Sequence, residues 1–438
     1  MLAQSNSFFP FIDIFNKRIS HHFDDLVHEG FFNQLIEQEF QYLKNSRIYL
    51  DYSKSALYPE SLVRDHASHL LSVNQANNKT AIDEARKCVI EYFNAPDYYC
   101  YFTNGLQDSL QQIGNSYPFN GLSRALMVDD NQDSYSRLNT ILQEKVQVSH
   151  SILRRDYLID RGYLYRELEK CESENNLFVL PAQSLTTGVK HDLGLIKEAN
   201  NRGWDVFLDV DDYVASSKLD LSVCQPDFVG FSFHKMFGYP ANIGCLLVHK
   251  SQLDVKPEFK ENLECILKAE NENAVSISAI KHGLQFMNEI GVKRIEGRCA
   301  SLRNYLLRSL SRLKHDSGYA QVKFPVDLYS IDTGATILLK LFDKAGKPIE
   351  ISVIKEELSA ASISVDTEDH QCWATKKYLQ VISNELEGSS FMQEAIVHND
   401  LVIQQNELKD TVKISVGIAT RKQDLDAIVE FIKSFQNL

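Results

Sequence analysis

Apolar segments that suit buried strands alternate with stretches of helical periodicity between about residues 80 and 250, and this alternation constrains the fold more than any other feature. Residues 124–129, 177–180 and 206–210 are three such apolar segments, and residues 193–201 form a helical stretch between the last two. Strands joined by crossover helices pair in parallel, and the helices cover both faces of the sheet. The sequence therefore predicts an α/β fold with a mostly parallel sheet flanked by helices.

A second pattern, a strand followed by a polar segment and another strand, surrounds Lys235. Residues 228–233 and 243–248 are apolar, and Gly238 and Pro240 between them indicate a loop. We expect Lys235 to lie in this loop, where partial burial would lower its pKa and free the amine to react with a carbonyl. Ser232 and His234 flank the lysine with hydrogen-bond donors that suit a phosphate.

A predicted strand that runs into a helix offers a site for an anion. Residues 99–103 suit a strand, Asn104 and Gly105 suit a turn, and a helix follows with Leu106 and Gln107 in its first turn. Backbone N–H groups at the amino terminus of a helix have no partner within the helix, and the helix dipole adds positive charge there. This turn is a candidate anion site.

Three carboxylates lie at or just after the end of one predicted buried strand. Asp209 lies in the segment 206–210, and Asp211 and Asp212 follow it. A buried carboxylate costs free energy unless it is paired, and three that face inward would raise one another's pKa. Ligands of such sheets bind at the carboxyl ends of the strands. The residues expected to converge there are Gly105, Gln132, Asp209 and Lys235.

Beyond about residue 320 the pattern changes to that of a smaller α+β unit. Residues 336–341 and 412–417 suit strands, and residues 350–361 and 422–435 suit helices. We predict a helical arm with an active-site segment, then a large domain that holds the sheet, then a linking helix with a small domain. These three parts span residues 1–60, 61–290 and 291–438.

Charge and hydropathy exclude several classes of protein. The formal net charge is −13 and no long basic run is present, which argues against nucleic acid as a partner. There is no run of about 18 uninterrupted apolar residues and no secretory signal pattern, so we expect a cytoplasmic protein without a membrane partner. The 8 cysteines are scattered without a Cys-x-x-Cys pair, so no metal site is expected.

The sequence around Lys235, Ser-Phe-His-Lys followed by Gly-Tyr-Pro and Gly-Cys-Leu-Leu-Val, resembles the pyridoxal-phosphate lysine segment of the class V aminotransferase superfamily. Residues 181–188 and 276–283 resemble the aminotransferase-like domain of molybdenum cofactor sulfurases, and the chain is also similar to cysteine desulfurases. The resemblance implies fold type I, a homodimer, and pyridoxal 5′-phosphate joined to Lys235 as a Schiff base. It also implies that Asp209 keeps the ring nitrogen protonated.

The resemblance assigns the remaining site residues, with departures from the family pattern. Gln132 stands where the family has a histidine on the cofactor ring, and it cannot act as an acid or base near neutral pH. Lys413, in Val-Lys-x-Ser, replaces an arginine that clamps a substrate carboxylate. Lys54 and Gln183 are the other implied substrate contacts. The implied cofactor contacts are Gly105, Leu106, Gln107, Gln132, Asp209, Asp212, Ser232, His234 and Lys235, of which Lys235, Asp209 and Gln132 are the catalytic residues.

These features support three hypotheses for the function. The first is a pyridoxal-phosphate enzyme, a lyase or transferase, that acts on an atypical small-molecule amino acid or amine through Lys235. The second is a non-catalytic class V homologue used as a binding or scaffold module, since the ring-stacking histidine and several hydroxyl anchors are replaced. The third is sulfur transfer from cysteine through Cys372. This residue lies in the loop region where desulfurases carry a persulfide-forming cysteine, but its neighbours do not reproduce their motifs.

Overall fold

A computed structural model of the protein shows a large sheet covered by helices and a smaller sheet on the carboxyl-terminal side. Every structural statement below concerns the residues that this structure describes. They are residues 26, 28–45, 47–72, 78–128, 130, 135–151, 153–172, 174–264, 273–370, 402–404 and 406–437.

The strands, numbered along the described chain, belong to three sheets. They are β1 (Ile48–Tyr49), β2 (Tyr98–Thr103), β3 (Arg124–Val128), β4 (Gln147–Ser151), β5 (Asn176–Pro181), β6 (Trp204–Asp209), β7 (Phe228–Ser232), β8 (Gly244–His249), β9 (Val322–Lys323), β10 (Thr336–Leu341), β11 (Ile363–Ser364) and β12 (Thr411–Ser415). The largest sheet has the order β2-β8-β7-β6-β5-β3-β4. Its strands run in one direction except β8, which is antiparallel to both neighbours. The predicted mostly parallel sheet is confirmed.

Helices connect most of these strands and cover the sheet. The predicted helix at residues 193–201 is present with slightly shorter bounds. None of the helices in the described ranges is both long and apolar enough to cross a membrane. The helices are α1 (Glu29–Glu39), α2 (Glu60–Ser72), α3 (Asn78–Tyr92), α4 (Leu106–Ser116), α5 (Ser136–Gln143), α6 (Arg161–Leu168), α7 (Gly194–Asn200), α8 (Phe233–Phe237), α9 (Lys250–Val255), α10 (Pro257–Glu264), α11 (Ala274–Ile277), α12 (Ile280–Ile290), α13 (Val292–Ser311), α14 (Ile351–Ala360) and α15 (Lys422–Ser434).

Burial on both faces explains why the strands of the large sheet are apolar throughout. Along β5, Phe178 and Leu180 pack into one hydrophobic core, whereas Leu177 and Val179 pack into a second core on the opposite face. Successive side chains of a strand point to opposite faces, so a sheet with helices on both sides leaves no polar face. The first core continues through α13 into the carboxyl-terminal unit.

The carboxyl-terminal unit is built around a second, antiparallel sheet. β10 lies between β12 and β9, and α15 packs against α13. The predicted strands and helices of this α+β unit are therefore confirmed. β1 pairs in parallel with β11, and the Ser415 N–H donates to the backbone oxygen of Leu50 at 2.9 Å. The segment after the amino-terminal arm is thus attached to this unit.

A close approach between two backbones fixes the edge of the large sheet. Gly244 pairs with Thr103 in β2, and a Cβ at Gly244 would lie 2.5–2.7 Å from backbone atoms of Gly105. Backbone atoms cannot move aside as the end of a flexible side chain can. The turn that starts α4 therefore lies against β8 only because residue 244 has no side chain.

We expect Gly244→Ala to lower the free energy of unfolding by about 1–3 kcal/mol, because the added methyl group overpacks this contact. Urea unfolding followed by circular dichroism measures the change. Gly121→Ala is the matched control, since a Cβ there would meet no atom within 4 Å. Equal effects of the two substitutions would contradict the close approach at residue 244.

Candidate active site

Several predicted site residues meet where β6 and β7 end and α4 begins. A cavity of about 240 Å³ lies at this edge of the large sheet, and we call it the main cavity. Gly105, Asp209 and Lys235 all line it, as the strand pattern predicted. Gln132 lies outside the described residues. The other predicted cofactor contacts on the wall are Leu106, Gln107, Asp212, Ser232 and His234.

Lys235 lies in α8 and not in the loop that the sequence predicted. This five-residue helix buries Phe233, Met236 and Phe237. Gly238 ends the helix with a φ of 74°, a left-handed conformation that suits glycine. The apolar run that predicted a strand therefore continues as the buried face of a helical turn, which holds Lys235 at the carboxyl end of β7.

The amine of Lys235 is buried among oxygen atoms. Its Nζ donates to the backbone oxygen of Ser53 and to Asp212 Oδ1 at 3.2 Å, and Asp211 Oδ2 lies 3.9 Å away. Burial acts to lower the pKa of this amine, but attraction by Asp212 and Asp211 outweighs burial and raises the pKa. The predicted lowering of the Lys235 pKa is wrong, because the sequence does not show how close the two carboxylates lie.

Asp209 is fixed by two hydrogen bonds. Its Oδ2 accepts from the Tyr135 hydroxyl at 2.7 Å, and its Oδ1 accepts from the Asp211 N–H at 3.0 Å. Burial, followed by repulsion from Asp211, raises the pKa of Asp209 to about 7. A protonated ring nitrogen beside this carboxylate would favour its ionised form. The sequence gives no signal for Tyr135, because residue order after β3 does not show which side chain turns toward the sheet edge.

Asp211 is the second buried carboxyl group of the cluster. Its Oδ1 accepts from the Ser232 N–H at 2.6 Å. Burial raises the pKa of Asp211 to about 6, although the positive charge of Lys235 opposes this rise. Asp212 repels Asp211, and Asp211 repels Asp209. The prediction that inward-facing carboxylates raise one another's pKa is therefore confirmed for Asp209 and Asp211, with burial as the larger cause.

The turn at the start of α4 presents neutral hydrogen-bond donors to the main cavity. Gly105 has a φ of 103° and, as the N-cap residue, has no side chain with which to cap the helix. The N–H of Leu106 donates to Ser232 Oγ at 3.0 Å, which holds that hydroxyl at the turn. Burial, and then the charge of Lys235, lowers the pKa of His234 to about 4, so its imidazole is neutral near pH 7. An anion here would be held by the helix terminus and by neutral side chains such as Gln107.

A sequence model of the aminotransferase class-V family matches residues 48–323, more than half of the chain. The chain belongs to the class-V aminotransferase family. The cofactor of this family is pyridoxal phosphate. The described residues fit that group, because one cavity combines a helix terminus for a phosphate, a buried amine for an aldehyde and a carboxyl group for a ring nitrogen.

Curated relatives of this member of the class-V aminotransferase family include molybdenum cofactor sulfurases. Molybdenum cofactor sulfurase 3 of Aedes aegypti is 27% identical over 456 residues, which cover 91% of this chain and 57% of that protein. Molybdenum cofactor sulfurase of Arabidopsis thaliana is 25% identical over 475 residues, covering 92% of this chain and 58% of that protein. The chain thus spans less than two thirds of the length of these relatives.

Solved structures of cysteine desulfurases have the same fold. The apo cysteine desulfurase of Thermococcus onnurineus aligns with a TM-score of 0.71 at 16% identity, covering 92% of this chain and 97% of that one. The cysteine desulfurase CsdA of Escherichia coli aligns with a TM-score of 0.69 at 17% identity, covering 92% and 98%. At such low identity the likeness shows the fold, which is fold type I of pyridoxal-phosphate enzymes, as predicted.

The two lysines predicted as substrate contacts each have an acidic partner. Lys413 is buried in β12, where its Nζ lies 2.7 Å from Asp366 Oδ2 and donates to the backbone oxygen of Leu185 at 3.2 Å. Lys54 is exposed, and its Nζ lies 3.6 Å from Glu368. The structure therefore brings Asp366 into this region, although no sequence motif points to that residue. Substrate contact by the two lysines stays a prediction.

A smaller cavity of about 40 Å³ lies on the other side of Lys235, and we call it the second cavity. Asp212 and Lys235 line both cavities, so they form the boundary between them. Gln183, the third predicted substrate contact, lines the second cavity together with Ser53. Ser53 belongs to the active-site segment that the sequence predicted. The structure thus divides the site into two compartments that share the reactive amine.

We expect the apo protein to lose stability through His234 as the pH falls from about 6.5 to about 4. In this interval the unfolded state binds a proton at His234 whereas the folded state does not, so unfolding becomes more favourable as the pH falls. The full loss would be at most about 3 kcal/mol. His234→Asn should flatten this part of the stability profile, measured by urea unfolding at a series of pH values.

His28→Asn is the matched control for this profile. His28 is exposed at the start of α1, so its replacement should leave the shape of the pH dependence unchanged. If His234→Asn retains the full acid-side slope of the unmodified protein, then burial of a neutral imidazole at residue 234 is excluded as its source.

Proposed function

We propose that this chain is a pyridoxal-phosphate-dependent enzyme that acts on a small amino acid or amine by lyase or transferase chemistry. One observation supports this most directly. The amine of Lys235, the carboxyl group of Asp209 and the amino terminus of α4 line a single cavity. The family membership supports the cofactor, and the divided site supports a separate place for a substrate beside the same amine.

Each wall of the main cavity has a distinct task in this proposal. The turn at Gly105 and Leu106, with Ser232 and Gln107, would hold the phosphate through neutral donors. Asp209 would bind the ring nitrogen, with Tyr135 fixing the orientation of its carboxyl group. Lys235 would bind the aldehyde covalently. When bound, pyridoxal phosphate supplies an electron-accepting ring that stabilises negative charge at the carbon next to the substrate nitrogen.

The proton on the Lys235 amine has a candidate acceptor within hydrogen-bond distance. A lysine amine reacts as a nucleophile only when it is neutral, and here the neighbouring carboxylates favour its charged form. Asp212 Oδ1 lies 3.2 Å from Nζ, within hydrogen-bond distance, so it can accept that proton. When the lysine is released from the cofactor, the same Nζ can take a proton from a substrate held beside it. Lys235 is therefore both the attachment residue and the general base.

The partners of the chain are also part of the proposal. The two cavities have volumes of about 240 and about 40 Å³, which supports a small-molecule substrate rather than a macromolecule. Val63 and Leu70 are exposed one heptad apart on α2, and the exposed rings of Tyr42 and Tyr58 stack near the start of that helix. This apolar face supports a homodimer. A cytoplasmic location, and the lack of nucleic-acid and membrane partners, stay predictions.

Sulfur transfer from cysteine is a second candidate, supported by the names of the relatives. Molybdenum cofactor sulfurases and cysteine desulfurases are among the proteins that this chain resembles in sequence or fold. Cys372, the predicted sulfur acceptor, lies outside the described residues. Cys299 lines the second cavity, but burial raises its pKa to about 12, so it is a poor nucleophile near pH 7. Cys372 therefore remains the thiol to test.

The hypothesis of a non-catalytic homologue has less support. A scaffold has no need to bury a lysine between carboxylates, because taking these charges out of water costs free energy that pairing offsets only in part, and such clusters in a cavity are typical of functional sites. Here Lys235 and Asp211 are both buried, and both line the main cavity. The retained cluster argues for chemistry at this site.

We expect pyridoxal phosphate to give the purified protein a visible absorbance band that remains after gel filtration. Reduction with borohydride should then fix the cofactor on the peptide that carries Lys235, as read by mass spectrometry. Lys235→Ala should lose this covalent adduct. Lys87→Ala is the control, because that lysine is a solvent-exposed residue of α3 and should leave the adduct intact. A wild-type protein that acquires neither band nor adduct would exclude the proposed enzyme.

The sulfur-transfer candidate predicts that the loaded protein converts cysteine to alanine and leaves a persulfide on Cys372. Cys372→Ser should abolish the persulfide, which alkylation and mass spectrometry detect. Cys299→Ser is the comparison, since its buried thiol should contribute nothing to the reaction. Unchanged alanine formation by Cys372→Ser would remove this thiol from the mechanism.

A further inference from the structure

We propose that the substrate is a small amine that has no carboxylate. Its hydrogen-bonding head group lies in the second cavity. This inference rests on the proposed function, because it assumes that Lys235 is joined to pyridoxal phosphate in the main cavity. It narrows the substrate class from amino acids and amines to amines. Three features of the structure support it: the size of the second cavity, its polar lining and its charge.

The size of the second cavity limits what can enter. Its volume is about 40 Å³ and it opens on the amine of Lys235. One water-sized group requires at least about 10–15 Å³ measured in this way, so the space holds about three such groups. Phe40, Cys299 and Ala335 also line the cavity and give part of its wall an apolar surface. A head group of a few non-hydrogen atoms fits, whereas a long side chain does not.

Three buried polar atoms of the described residues that line this cavity lack a hydrogen-bond partner, and the Tyr52 hydroxyl is one of them. Ser53 and Gln183 are 7% and 6% exposed, and Ser53 Oγ and Gln183 Oε1 form no hydrogen bond within the described part of the chain. Buried polar atoms normally have partners, because leaving them without one costs free energy. Gln183 Oε1 can only accept a hydrogen bond, and the hydroxyl of Ser53 can donate or accept. A hydroxyl group on a substrate could satisfy both.

The charge of the boundary between the cavities disfavours a carboxylate. Among the described lining residues of the second cavity, Lys235 is the only cationic side chain, and Asp212 is acidic. In the loaded protein, before a substrate reacts, the proposed function commits the amine of Lys235 to the cofactor, so an incoming substrate meets the negative charge of Asp212. A substrate ammonium would be attracted by Asp212, whereas a substrate carboxylate would be repelled by it.

The nearby lysines do not compensate for this negative charge. The side chain of Lys413 is only 3% exposed, and its charge is matched by Asp366 at 2.7 Å. Lys54 is 69% exposed at its side chain and lies beside Glu368. Neither lysine lines the second cavity. A carboxylate bound there would therefore have no cation to pair with among the described residues.

Matched pairs of compounds that differ by one carboxylate test the inference. Ethanolamine and serine form one pair, and cysteamine and cysteine form the other. Each is titrated into the protein loaded with pyridoxal phosphate, and the shift of the cofactor absorbance band gives a dissociation constant. We expect the amine of each pair to bind at least about tenfold more tightly than its carboxylated partner.

Two results would overturn the inference while leaving the proposed function intact. One is equal or tighter binding of serine and cysteine. The other is a loaded protein whose band shifts with none of the four compounds. Failure of the proposed function itself would look different, because no cofactor band would form before any amine is added.

Substitution of two buried glutamines, one that lines the second cavity and one that does not, tests where the head group binds. Gln183→Leu should keep the cofactor band and weaken ethanolamine binding about tenfold, because the hydroxyl group loses an acceptor. Gln321→Leu is the control, since the amide of Gln321 is also buried without a partner but does not line either cavity. Unchanged ethanolamine binding by Gln183→Leu, with the band intact, would exclude the second cavity as the site of the head group.

Discussion

The site depends on the ion pairs between the buried amine of Lys235 and the carboxylates of Asp211 and Asp212. Taking a charge out of water is costly, and the cost is recovered only when the charge is paired and hydrogen-bonded. Here Asp212 Oδ1 and Asp211 Oδ2 lie 3.2 and 3.9 Å from Nζ, and the Ser232 N–H fixes Asp211. One ammonium group thus allows two acidic side chains to stay beneath the sheet edge, and they in turn hold the amine between the two cavities.

These ion pairs also set the condition under which the lysine can react. They favour the charged amine, which is unreactive toward a carbonyl, so a proton must leave before a covalent bond can form. The raised pKa values of Asp209 and Asp211 show that carboxyl groups in this cluster can hold protons near neutral pH. Asp212 and Asp211, whose carboxylate oxygens lie 3.2 and 3.9 Å from Nζ, are the candidate acceptors of this proton within the site.

The fold could be predicted because its signals are local. Strands such as β5 are apolar at every position since both faces are buried, and the intervening periodicity shows crossover helices. The placement of Lys235 and Asp209 on the wall of one cavity followed from their positions at strand ends. The fold of α8 could not be foreseen, because an apolar run followed by glycine suits both a strand with a loop and a buried helical turn.

The electrostatic details could not be predicted, because each depends on distances between residues far apart in the chain. The pKa of Lys235 is the balance of burial against two carboxylates, and its direction changes with separations of a few ångströms. Tyr135 reaches Asp209 across 74 positions of sequence. Asp366 lies 47 residues before Lys413, an interval that includes a stretch outside the described residues. A sequence pattern shows which side chains can carry charge, but not which partner each one has.

The pairing of Lys413 shows how one partner can change the task of a residue. Asp366 and Lys413 exchange backbone hydrogen bonds as well as an ion pair, and the Lys413 amine also holds the backbone oxygen of Leu185. Leu185 lines the main cavity, so this lysine ties the small sheet to the wall of the cofactor site. Burial acts to raise the pKa of Asp366, but its interaction with His370 and the charge of Lys413 outweigh burial and lower the pKa. A cation held in this way stabilises the junction between the two sheets, and its removal would leave Asp366 as a partly buried charge without its partner at 2.7 Å.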